Sequence, residues 1–220
     1  MILDQEQSAT ETNKLSDKEI FIKIWTSPRE VFKYINDNKY DKFVHVLLVL
    51  AGIAKSFDKA SENDMGDNLP LLAVIAICVF FGGLFGWISY FIYAALLRWT
   101  GSWLNGKGNT ESLLRMISHA LIPSIFVLVL LIPQILLFGN GIFKSELDAY
   151  GGETFLTIVL YSSIIIEMLL GIWTLIIFVI GLSEIQKLSI GKSILNMILP
   201  VLIIIIPIAL IAFILGDLFK

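Results

Sequence analysis

Charge and cysteine are both scarce in this chain, and each scarcity excludes something. Only 16% of the 220 residues are Asp, Glu, Lys or Arg, against about 25% in a soluble domain, so a water-facing surface could not be covered in the usual way. The single cysteine, Cys78, forms no intramolecular disulfide and reads as a small hydrophobe within an apolar run. Two histidines, one cysteine and no close set of carboxylates provide no metal-ligand spacing, and no cofactor is expected. Basic excess is missing too: the net charge is −3, which gives no general attraction to nucleic acid. Residues 1–18 are polar and acidic without a basic stretch leading into an apolar core, so no secretory signal is expected.

Apolar residues, by contrast, make up 56% of the chain. A spanning helix needs about 20 mostly apolar residues, and four segments meet that length: Leu69–Leu97, Leu113–Phe138, Phe155–Leu182 and Ile194–Phe219. A shorter apolar run, Val44–Ala54, is bounded by Lys42 and Lys55; it crosses only if Lys42, Lys55 and Lys59 snorkel, and is otherwise re-entrant. The expected fold is all-α, a polytopic transmembrane bundle of five spans with a short first one. Residues 1–18 read as a disordered polar tail, 19–43 as an amphipathic juxtamembrane segment and 44–219 as the transmembrane domain. Within the juxtamembrane segment Ser27-Pro28-Arg29-Glu30 reads as a helix start, with Ser27 and Glu30 forming a capping box. Ile20, Phe21, Ile22, Ile24 and Trp25, interleaved with Lys18, Lys23 and Arg29, suit a helix at headgroup level.

Basic residues set orientation. Five spans with the N-terminus in the cytoplasm put twelve Lys and Arg inside and four outside; a re-entrant first segment makes this eleven and five. Both place the N-terminus inside, and five spans put the C-terminus outside.

Several polar residues inside this apolar chain are candidate sites. Glu167 lies mid-span, where an acid costs about 2.5–3.5 kcal/mol on insertion scales, so it must face the bundle, protonated or paired. It is either a proton- or cation-handling site or a neutral helix–helix hydrogen bond. Gln134 beside Pro133, and Asn196 four residues before Pro200, put polar groups next to helix kinks. Arg115 and His119 share a helix face at i, i+4 and, with Lys107, are candidate contacts for an anion or lipid headgroup. Gly101-x4-Gly106-Lys107 has the outline of a phosphate loop. Gly108 stands where a magnesium-binding hydroxyl belongs and no strand precedes it, so a tight turn before a helix capped by Asn109 or Thr110 is the simpler reading. Gly82 and Gly86, a G-x-x-x-G step, form a packing face for a helix of this chain or of a second copy.

Trp25, Pro28, Arg29 and Glu30 before the apolar segments, the Gly106-Lys107-Gly108 turn, Leu113-Leu114-Arg115 and Ala120-Leu121-Ile122-Pro123 resemble the Yip1 family of five-helix membrane proteins in its compact prokaryotic form. The family's eukaryotic members are associated with Rab GTPases and vesicle trafficking, but their Asp-Leu-Tyr-Gly-Pro signature is absent here. The resemblance implies a membrane-embedded scaffold without catalytic residues. Lipids, a membrane-protein partner or a second copy are the expected partners, and in a prokaryote the plasma membrane is the expected location. The competing reading is a small transporter or channel lined by Glu167, Gln134, Asn196 and Arg115. An intramembrane enzyme would need a nucleophile–base pair or metal set that the sequence does not display.

Overall fold

The computed structural model describes residues 15–145 and 154–218, and their regular secondary structure is entirely helical. Two short helices open the chain, α1 (Asp17–Lys23) and α2 (Pro28–Asp37), followed by α3 (Val44–Glu62) and the single turn α4 (Met65–Asn68). Next come the long α5 (Leu71–Trp103), then α6 (Thr110–Ala120), α7 (Ile122–Ile125) and α8 (Val127–Phe138). A 3-10 turn (Gly139–Phe143) ends that stretch, and α9 (Thr154–Gln186) and α10 (Ile190–Leu218) complete the bundle.

Four stretches are long and apolar enough to cross a membrane: α5, Ile122–Phe143, α9 and Ile190–Ala209 of α10. Only 17–22% of their apolar windows is buried inside the protein. Leu72, Phe80, Leu136, Phe155 and Ile208 are among many large apolar side chains left open. Water would not tolerate apolar patches of that extent, whereas lipid covers them. The chain is an integral membrane protein. At 33 residues α5 is about 50 Å long, well beyond an apolar layer of about 30 Å, so at least one end emerges or the helix tilts. Its last turns carry Arg98 and the exposed pair Trp99 and Trp103, rings 5.0 Å apart, which suits an interfacial end.

The short first span expected from sequence is not among the four. Lys55, Asp58, Lys59 and Glu62 fill the second half of α3 and dilute its apolar content. It nevertheless runs antiparallel along α5 in the most extensive helix pairing of the molecule. The pairing is made by backbone. A Cβ on Gly52 would lie 2.5 Å from the Gly86 Cα and collide with the Gly82 carbonyl, and a Cβ on Gly82 would lie 2.8 Å from the Gly52 carbonyl oxygen. Gly82 and Gly86 therefore face a helix of the same chain. Close approach of this kind gains dispersion contacts where lipid offers no hydrophobic drive.

Two apolar cores flank this crossing. The larger joins Ile20 of α1 and Ile24 just after it, Val31, Phe32 and Ile35 of α2, Leu47 and Leu48 of α3, Leu97 of α5, Met116 and Ile117 of α6, and Ile177 and Leu182 of α9. The smaller joins Phe57 and Ala60 of α3, Val74 and Cys78 of α5, and Phe143 of the 3-10 turn. There the ends are stitched together: the Asn140 amide donates to the carbonyls of Gly66 and Leu69 at 2.8 and 2.9 Å, and Ser61 donates to Ile142 at 2.8 Å. So α3 reaches from one core to the other. The four long stretches alternate in direction between the same two ends.

Some local expectations are corrected. The tail expected to be disordered lies outside the described residues up to Lys14; from Leu15 the chain is ordered, and Ser16 and Glu19 form a capping box on α1. Ser27 does precede α2, but its side chain makes no cap bond; its N–H donates to the Lys23 carbonyl at 2.7 Å and the Glu30 carboxylate pairs with the Lys23 ammonium at 2.8 Å. Ile20, Ile24, Val31, Phe32 and Ile35 are buried in the larger core, Phe21 and Trp25 pack partly against it, and Ile22 stays exposed. Leu113–Phe138 is not one span. Pro123 cannot continue the hydrogen-bond ladder, the chain breaks at Leu121, and α6 becomes a separate helix with eight of its eleven residues buried. Pro133, Pro200 and Pro207 lie inside helices.

Because the α3–α5 contact leaves no space for a Cβ, Gly52→Ala should force the helices apart and cost about 1–3 kcal/mol. Gly171, with nothing within 4 Å, is the control. Thermal unfolding in detergent should show a lowered midpoint for Gly52→Ala and none for Gly171→Ala; equal midpoints would contradict the contact.

Candidate functional site

Polar side chains gather mainly at the larger-core end, where α5, α6, α9 and α10 begin or finish. The Gly101–Gly108 turn is shaped around one side chain, Gln186, the fully buried last residue of α9. Its amide nitrogen donates to the Leu97 carbonyl at 3.1 Å, and its amide oxygen accepts from the Gly108 N–H at 2.9 Å. Its own carbonyl accepts from the Lys107 N–H at 3.0 Å. A Cβ on Gly101 or Gly106 would strike the Gln186 amide, and one on Gly108 would crowd it at 3.2 Å. The three glycines are thus a cradle for a glutamine. The Gly108 N–H, which a phosphate loop would offer to its ligand, is already taken. Asn109 then caps α6, its side chain accepting from the Ser112 N–H at 2.8 Å.

Asn196 belongs to the same region. Its side-chain oxygen accepts from the Thr100 hydroxyl at 2.7 Å, while its amide nitrogen is buried without a partner among the described residues. Gln134 and Glu167 are brought together elsewhere, the glutamine amide donating to the carboxylate at 2.7 Å. Asp58 and Ser61 of α3 line the same cavity, of about 70 Å³, large enough for a few waters. Asn196 does not share it.

Arg115 is almost fully buried on α6 and its guanidinium bonds the Asp41 carboxylate at 2.5 Å, with Glu111 at 3.5 Å. Arg115 also lines a cavity of about 420 Å³ together with Lys39, Lys107 and Lys187. His119 is turned away from that cavity. Its Nδ1 lies 2.9 Å from the Arg115 carbonyl and 3.0 Å from the Ser118 hydroxyl, its ring packs on Tyr40, and its Nε2 has no partner among the described residues. Burial pushes its pKa down to about 4, so the ring is neutral near pH 7. Nearby, Asp17 of α1 pairs with Lys42 and accepts from the Tyr40 hydroxyl at 2.7 Å. The Lys42 bond, followed by that from Tyr40, holds the Asp17 carboxyl below its usual range.

A family model described as the Yip1 domain matches residues 22–211, nearly the whole of this architecture from α1 into α10. The chain belongs to the Yip1 family. No curated protein matches it, and no solved structure does. The match takes in the Gln186 cradle and the Arg115–Asp41 pair of this Yip1 protein's polar end. Among the described residues no group of three or more His, Cys, Asp or Glu could hold a metal.

Sequence reasoning missed Gln186 and Asp41. A lone amide in the last turn of an apolar helix was the available signal for the first; nothing in the local pattern ties Asp41 to an arginine 74 residues away. Gln186→Leu keeps the volume but leaves the Gly108 N–H without its acceptor and removes the bond to the Leu97 carbonyl. Each unpaired buried group costs about 1–3 kcal/mol, so the variant should melt well below the parent in detergent. An unchanged midpoint would contradict the cradle.

Proposed function

We propose that this Yip1-family chain is a non-enzymatic scaffold that organises lipids or partner helices, crossing the membrane five times with α1, α2 and α6 on the cytoplasmic side. In a prokaryote this membrane is the plasma membrane, and the C-terminus lies outside. Three observations support the topology. The 19 residues of α3 extend about 28 Å, close to the apolar thickness; the helix joins the two cores; and the bulk of the Lys and Arg falls at the α2–α6 end.

One observation supports the scaffold reading: Glu167, Asn196 and Arg115 each pair with a neighbour in separate places instead of lining one path. Glu167 is held by Gln134, Asn196 by Thr100 in another part of the bundle, and Arg115 by Asp41. Family members are generally not enzymes. Ser118 and His119 do stand 3.0 Å apart, but both are fully buried and the hydroxyl also bonds the Arg115 carbonyl, so no substrate reaches them.

A second reading, a small transporter or channel, draws on Asp58 lining the cavity beside Glu167, since facing carboxylates attract protons or cations. Vesicles containing the purified protein and a pH-sensitive dye separate the two. The scaffold reading expects proton and sodium leak equal to that of empty vesicles, in both the parent and Glu167→Gln. Flux through the parent that Glu167→Gln abolishes would overturn it in favour of transport.

A further inference from the structure

The cavity beside Arg115 is assembled from four segments distant in sequence. Asn36 and Lys39 come from the end of α2 and the residues after it, Lys107 and Asn109 from the turn before α6, Arg115 from α6, and Lys187 from the α9–α10 turn. Four of the chain's 16 Lys and Arg thus converge on one cavity, in a molecule whose net charge is −3. Two of these cations are already matched: Arg115 by Asp41 and Glu111, and Lys187 by Glu184 at 2.5 Å. Among the described residues Lys39 and Lys107 have no acidic partner.

Two of the lysines sit just past helix ends. Lys39 and Lys187 take left-handed φ of 47° and 55°, a common way for an α-helix to terminate, and the next amides close each turn, Tyr40 N–H onto the Ile35 carbonyl at 3.0 Å and Leu188 N–H onto the Ser183 carbonyl at 3.1 Å. Depth in the membrane agrees. The cavity lies just past the end of α5, beyond the exposed Trp99 and Trp103 that mark the interface.

We infer that this cavity, Lys39–Lys107–Arg115–Lys187, binds a phosphate monoester at headgroup depth, carried by an anionic lipid or present as a free ion. The chemistry follows from the donors. Arg115 is a permanent cation fixed by Asp41, with guanidinium N–H groups to spare, and two unpaired ammonium groups supply the remaining charge. Asn36 and Asn109 contribute amide N–H donors of a kind that suits phosphate or sugar oxygens. Glu111 is the one acid lining the cavity; it is largely exposed and only 3.5 Å from Arg115, so it can rotate to water while Asp41 keeps the arginine placed. At about 420 Å³ the space falls in the range of about 300–1,000 Å³ typical of small-molecule sites.

The proposal names a ligand for the scaffold read above and rests on that reading's placement of this end at the membrane surface. The two fail separately, because ion flux is measured in sealed vesicles and binding in detergent. Full-length protein in a neutral detergent is titrated calorimetrically with dioctanoyl phosphatidate, dioctanoyl phosphatidylcholine or inorganic phosphate. Phosphatidate should bind at least tenfold more tightly than phosphatidylcholine. Lys39→Ala/Lys107→Ala, both exposed positions, should weaken it at least tenfold with no change in the unliganded melting midpoint. Lys55→Ala/Lys59→Ala, which removes equal charge from α3, should leave binding within twofold. Inorganic phosphate that competes would identify the free ion as a ligand, and phosphatidate binding without such competition would identify the lipid headgroup; both support the site. Equal binding of the two lipids, unchanged binding by the Lys39/Lys107 variant, or equal losses in the two double variants would overturn it.

Discussion

The crossing of Gly52 with Gly82 and Gly86 is the contact on which the rest of the bundle depends. Carrying Lys55, Asp58, Lys59 and Glu62 in its second half, α3 is too polar to be held in lipid by its own composition. Docked backbone to backbone on α5, it is held by dispersion along a whole helix face, and its charged residues need not face hydrocarbon alone. A side chain at any of the three glycines would remove that support. Once α3 is in place, its first half completes the core beneath α2 and α6, while its second half completes the smaller core under the 3-10 turn.

Unlike a soluble protein, this chain spends its burial mainly at the ends of its helices. The long spans keep most of their apolar surface outward, and the densest packing lies where α1, α2 and α6 cover the bundle. Polar groups follow the same division. In the cap, Gln186 fixes the Gly101–Gly108 turn against α5, Asn196 ties α10 to Thr100, and Asp41 neutralises Arg115. These bonds are worth most in a low-dielectric setting because leaving any one unmade is costly. Of the lysines around the Arg115 cavity, Lys187 is paired with Glu184, while Lys39 and Lys107 have no acidic partner among the described residues.

Legibility from sequence tracked what period and composition can encode. Long apolar runs marked α5, α9 and α10 within a few residues, since length and hydropathy are sufficient for a lipid-facing helix. The same signal failed at Leu113, where an apolar stretch buried in protein looks identical to one buried in lipid; Pro123 was the clue that the run divides. The Ser27 capping box is not formed: the preceding turn takes both reciprocal groups, the Ser27 N–H going to the Lys23 carbonyl and the Glu30 carboxylate to the Lys23 ammonium. Among the candidate site residues, Glu167 and Gln134 stood out as polar groups in apolar runs, but their pairing is a tertiary fact across 33 residues. Arg115 and His119 share a helix face yet separate in role, one bordering a cavity and the other sealed against Tyr40, because only tertiary packing decides which part of a face stays open.

The central proposal is that the glycine contact holds α3 across the membrane, which would put the cap and the α3–α4 turn on opposite sides. Cysteine accessibility in intact cells tests this most directly, with the fully buried Cys78 left in place. Lys33→Cys on α2 and Glu62→Cys at the end of α3 are both exposed positions. A membrane-impermeant maleimide should label Glu62→Cys in intact cells and Lys33→Cys only after permeabilisation. Labelling of both from the same side would contradict a spanning α3 and, with it, the five-helix account.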